Sequence, residues 1–149
     1  MKTILDKSTR DELANRINQL QESSTAQWGQ MNVRQMLRHC ILWEEMALGK
    51  KTYPRVFLGY IFGRLALRSL LKEKTLMPRN ARTITPMKIT EVVEADVETQ
   101  KQQWLALMAE HVSAGTPEVH HPIFGKLTSD EVCILMYKHA DHHLRQFNV

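Results

Sequence analysis

The stretch that most constrains this chain is TSDEVCILMYKHADHHLRQF, from Thr128 to Phe147. Thr128 and Glu131 stand in the T-x-x-E arrangement of a capping box, and an apolar run follows at once, which predicts one continuous helix from Thr128 onward. Three histidines, His139, His142 and His143, fall within it at i, i+3 and i+4. At about 100° per residue, His143 shares the arc of His139 with Val132, Met136, Ala140 and Leu144, an apolar face that should be buried. His142 falls on the other side, beside Glu131 and Lys138. Two inward histidines one turn apart leave two readings open: core residues hydrogen-bonded to backbone or water, or a pair of metal ligands.

With 149 residues, the chain is expected to form one domain, 1–149, large enough to bury about two thirds of the surface its unfolded form exposes. Cys40 and Cys133 lie far apart, each on the apolar side of a predicted helix, so they read as small buried thiols and not as a redox pair. The opening residues carry no long apolar core or small-residue cleavage site, and we expect a cytoplasmic protein. Val56 to Leu71, the nearest candidate for a membrane span, is interrupted by Arg64 and Arg68, so no membrane partner is expected. The net charge of +4 is spread without a polybasic block, which argues against nucleic acid.

In chain order, a first helix is expected from about Thr9 to Gln21, with Thr9 and Glu12 as a second capping box and Leu13, Ile17 and Leu20 as its apolar stripe. A polar stretch follows, anchored by Trp28. The second helix should open at the N-cap Asn32, with Gln35 completing a capping box, and end at Gly49. His39 lies on its apolar arc with Met36, Cys40 and Trp43, making it either a core residue or a third ligand. Glu44 falls inside the same arc, where a lone carboxylate is costly, so it requires a partner, structural or behind the ligands. A third helix, from about Arg55 to Lys72, is apolar almost all round and therefore reads as central. Its Gly59 and Gly63 predict close approach of a neighbouring helix, and Arg64, Arg68 and Lys72 a solvated stripe. Thr75 to Thr90 is an irregular crossover. A fourth amphipathic helix, about Glu94 to His111, and a loop from Val112 lead back to Thr128.

These elements predict an all-α bundle with four main helices and one long crossover, an architecture that builds metal sites from inward side chains on facing helices. The segments WGQMNVRQMLRHC, HPIFGKLTSDE and YKHADHHLRQF together resemble the DinB/YfiT-like metalloenzyme superfamily over nearly the whole chain. The likeness is to a family within it that shares the W-G…Q-M-L-x-H-C, H-P-x-F-G-K and H-x-x-H-H-x-x-Q-F elements. A fourth, P-K-N-A-like element reads MPRNART here, with Arg79 where a lysine is usual. The resemblance implies a DinB-like four-helix bundle in which His39, His139 and His143 bind a divalent metal.

Three neutral imidazoles suit zinc, nickel or iron better than calcium or magnesium, and they leave positions for water or substrate. Members of the superfamily include thiol-dependent transferases and isomerases. The resemblance therefore implies a metal-dependent thiol S-transferase, in which a low-molecular-weight thiol attacks a small electrophile. A metal-dependent hydrolase and a non-catalytic bundle are the alternatives. His121 and Gln146 are expected beside a cleft for this small-molecule substrate, His142 and Glu44 are further candidates for orienting groups, and His120 is expected in solvent. The surplus apolar surface of the third helix, with the pairing common among superfamily members, predicts a homodimer.

Overall fold

A computed structural model describes residues 1–81 and 83–149; Arg82, in the crossover, lies outside the described residues. Among these, five helices occur: α1 (Lys7–Asn18), α2 (Val33–Ala47), α3 (Phe57–Leu70), α4 (Val97–Ser113) and α5 (Ser129–Gln146). Two short strands, β1 (Val119–His121) and β2 (Gly125–Leu127), pair antiparallel with Val119 opposite Leu127. The all-α bundle is thus confirmed. Helices α1, α4, α2 and α5 pack in a ring, each against the next, and Leu13, Ile17, Met36, Leu37, Trp104, Val132 and Leu144 fill the space between them.

Both strong helix starts lie where local chemistry sets them. Asn32 accepts from the backbone of Gln35 and Thr128 from that of Glu131, and each box is closed by the reciprocal side-chain bond. Such a box satisfies two backbone donors that would otherwise lack partners. The first helix differs from expectation. It begins at Lys7 behind Asp6, with no side-chain cap, while Thr9 is buried within its first turn and caps nothing. Tertiary burial of Thr9 outweighs its capping preference. Helix α4 takes Asp96 as its cap, the side chain accepting from Thr99.

The third helix is not central. It lies outside the ring, against the β1–β2 hairpin, and buries only Gly59, Gly63, Leu67 and Leu70. The two glycines do admit a close neighbour, but it is the backbone at the hairpin tip and not a helix. A Cβ on Gly59 would sit 2.6 Å from the Ile123 carbonyl oxygen, and one on Gly63 would overlap the same atom. The expected loop from Val112 therefore contains a hairpin, which docks by its tip.

Lys138, expected on the polar side of α5, is buried. Its ammonium donates to the carbonyls of Lys72, Glu73 and Thr75 at 2.9, 3.4 and 2.7 Å, just beyond the C-terminal end of α3, where the helix dipole favours a cation. This ties the start of the crossover across α5 and covers a side that its amphipathic pattern leaves to water.

Candidate metal centre

His39 projects from α2 and His139 and His143 from α5, each at most 6% exposed. One ring nitrogen from each lies within 4.8 Å of the other two, the only such grouping of three or more among the described residues. The Nε2 atoms of His39 and His139 are 3.1 Å apart, close to the about 3.4 Å that separates two imidazole nitrogens on one tetrahedral zinc.

The atoms behind the rings decide which nitrogen faces inward. Nδ1 of His39 lies 2.8 Å from the Met87 carbonyl oxygen, an acceptor only, so Nδ1 carries the proton and Nε2 keeps its lone pair. Nδ1 of His143 lies 2.8 Å from Oε1 of Gln146, whose own amide nitrogen donates to the Trp28 carbonyl at 2.7 Å. That second bond sets the orientation of the carboxamide, so His143 also donates from Nδ1 and offers Nε2. His139 stacks on Trp43, with ring centroids 5.0 Å apart at 18°. Oxygen acceptors behind inward-facing imidazoles are the arrangement that orients metal-ligating histidines.

Burial favours the neutral, ligand-competent form of all three. It pushes His139 and His143 well below the ordinary histidine value, helped in each by the positive charge its histidine neighbours would carry. His39 is lowered by burial too, opposed by its bond to Met87. Neutral imidazole is the form that ligates a metal, so these shifts favour ligation near neutral pH.

A cleft of about 290 Å³ opens on the three histidines, walled by Trp43, Leu70, Met77, Met87, Ile123 and Phe124 among others. Among the described residues that line it, none is a Lys, Arg, Asp or Glu. A second, more polar hollow of about 550 Å³ adjoins it and shares His142 and His143; Trp28, Asn80, Lys88 and Gln146 line it.

The chain belongs to the DUF1569 family. The family model, described as "Protein of unknown function (DUF1569)", matches residues 2–149, and DUF1569 is part of the DinB/YfiT-like clan. No curated protein matches the chain, and no solved structure does. In this DUF1569 chain the clan's helical scaffold thus carries three buried histidines that could hold a metal ion.

The remaining site candidates scatter. His121 lines the cleft and Gln146 the adjoining hollow, whereas His120 is exposed. His142 is outside the group of three but is not solvated: it is 6% exposed, edge-on to Trp28 at 5.8 Å, with Nδ1 unpartnered. Its burial follows from the crossover and the Trp28 loop, which close over that side of α5. Glu44 does not reach the histidines. It accepts from Trp104 at 3.1 Å and lies 3.3 Å from His111; His111 falls seven residues after Trp104 on the apolar arc of its helix, but that pattern does not show which residue it meets. The Met87 carbonyl and the Trp43 stack were equally invisible, because both depend on which segment crosses which.

Proposed function

We propose that this protein binds one divalent metal through Nε2 of His39, His139 and His143, and that it uses the site to transfer a low-molecular-weight thiol to a small electrophile. The convergence of three buried, neutral imidazoles at the floor of an apolar cleft supports the reading most directly. Zinc, nickel or ferrous iron fits such a donor set. Such a metal would supply Lewis acidity, lowering the pKa of a thiol or water in its open position.

The protein's own contributions are geometric. Met87 and Gln146 hold two imidazoles in the tautomer that offers Nε2, and Trp43 fixes the plane of the third ring. The apolar walls exclude bulk water, which strengthens electrostatic interactions inside the cleft. Histidines retained only for packing would need neither the inward lone pairs nor an opening to solvent above them.

The test is metal analysis of protein purified without a histidine tag, followed by thiol-consumption assays against a panel of small electrophiles. One metal per chain is expected in the wild type and in His142→Ala. Strong loss is expected in His39→Ala, His139→Ala and His143→Ala, because two imidazoles hold a divalent ion poorly. Wild-type protein that takes up no metal would overturn the reading; metal without thiol consumption would overturn its catalytic half.

We also propose that two copies pair through the outer face of α3. Phe57, Leu58, Tyr60, Ile61, Phe62 and Leu65 are 57–76% exposed there. Together they open several hundred Å² of apolar surface, against the about 800 Å² that each partner buries in a standard interface. Antiparallel packing centred on Ile61 separates the basic ends, with Arg68 of the two copies about 20 Å apart at 1.5 Å rise per residue.

A further inference from the structure

Besides His142 and Thr83, the cleft is lined by one further polar side chain that neither the candidate ligands nor their supports account for. His121 closes β1 at the hairpin tip, is 6% exposed, and lines the cleft beside His39, His139 and His143. Its Nδ1 accepts two backbone hydrogen bonds, from the amides of Ile123 at 3.1 Å and Phe124 at 3.2 Å. Two N–H groups aimed at one ring nitrogen exclude a proton on that nitrogen. The ring proton of neutral His121 is therefore on Nε2. The ring is also clamped, stacked on Phe124 with centroids 4.5 Å apart at 20°. Among the described residues no protein acceptor takes the Nε2 proton.

We propose that His121 is a fixed hydrogen-bond donor for substrate, holding a carbonyl-type oxygen of an uncharged, largely apolar molecule above the three histidines. This rests on the metal-site reading for what lies beneath the substrate, but the donor itself follows from the hairpin alone. Three observations narrow the ligand. The walls are apolar, which favours a hydrocarbon body of roughly ten heavy atoms in a cleft of this size. Among the described residues no ionic side chain lines the cleft, so apart from the metal itself a charged ligand would find no ionic partner in them. The one clamped polar group is a donor and not an acceptor, so the ligand must supply an acceptor. Burial pushes His121 down to about 4, and the group therefore stays a neutral donor across the physiological range.

Acting through the tautomer distinguishes this residue from one that merely packs. A hairpin tip needs no histidine to turn, whereas a ring pinned on one side by two amides has its other nitrogen aimed by construction. The same amides that stabilise the turn thus select the face His121 presents to the cleft.

The experiment compares acetophenone with α-methylstyrene, in which a CH₂ group replaces the carbonyl oxygen at nearly constant shape. Binding to the zinc-loaded protein is followed by tryptophan fluorescence, since Trp43 lines the cleft. Wild type should prefer the ketone by roughly three- to tenfold, the range of one net hydrogen bond. His121→Phe, which keeps a stacking ring, should bind both equally. His121→Gln, able to accept from the hairpin amides and donate from its own nitrogen, should recover part of the preference. Long-range ¹H–¹⁵N NMR of the wild type should show the Nε2-protonated tautomer between pH 5 and 8. A ketone preference that survives in folded His121→Phe, equal binding of the two probes to the wild type, or an Nδ1-protonated ring would each overturn the proposal. Zinc affinity measured on the same samples keeps the two readings apart: wild type that binds no zinc sinks the metal reading, while zinc-loaded protein without a ketone preference sinks only this one.

Discussion

Gln146 accepts a hydrogen bond from Nδ1 of His143 at 2.8 Å, and its amide nitrogen is at the same time spent on the Trp28 carbonyl. The carboxamide cannot turn over without losing both bonds, so the inward lone pair of His143 depends on a loop more than a hundred residues away in sequence. Replacing Gln146 by Leu keeps the volume and removes this support. Metal affinity should then fall by about ten- to a hundredfold, the usual consequence of losing such a partner, as read by competition with a chromogenic chelator. Unchanged affinity would show that Gln146 only packs.

Acid should destabilise the metal-free protein through the same buried rings. The folded-state values of His39, His139 and His143 lie below the ordinary 6.5, and that of His121 at about 4. Below pH 6.5 the unfolded chain therefore binds more protons than the folded one, and stability rises with pH in that window. The contribution is complete above about pH 6.5 and drains away as the pH falls towards 4, with roughly 3 kcal/mol attributable to His121. Urea unfolding of chelator-treated protein at pH 7.5, 5.5 and 4.5 measures it. A smaller acid loss in His121→Phe than in the wild type is the expected signature, and identical pH profiles would contradict it.

Gly63 faces the Ile123 carbonyl too closely for any Cβ. Gly63→Ala must push the hairpin tip away from α3, at a cost of about 1–3 kcal/mol for overpacking a fitted contact. Because Ile123, Phe124 and His121 all line the cleft, small-molecule binding should weaken along with the melting temperature. A variant with wild-type stability and binding would mean that the tip yields freely.

The pairing proposed for α3 predicts a light-scattering mass of twice 17.3 kDa at micromolar concentration, and one chain's mass for Ile61→Glu. The substitution places a charge at the centre of the apolar face while touching nothing in the core, since Ile61 is 58% exposed. Wild type running as a single chain would dismiss the dimer.

What sequence alone determined here is local or periodic. The boxes at Asn32 and Thr128 act over three residues, and the apolar arcs carrying His39, His139 and His143 follow from helix geometry, so these were legible before any fold was known. The tertiary structure decided what covers each face. Periodicity cannot see that Lys138 would bind the carbonyls beyond α3 and close the crossover over His142, or that α3 would lie outside the ring with an apolar face turned to solvent. Nor can it see His111 meeting Glu44, or two amides pinning His121, because each of these joins segments whose meeting depends on the whole chain. A helix pattern states which side of a residue is apolar; only the packed chain states what arrives there, and hydrogen bonds, tautomers and burial are set by what arrives.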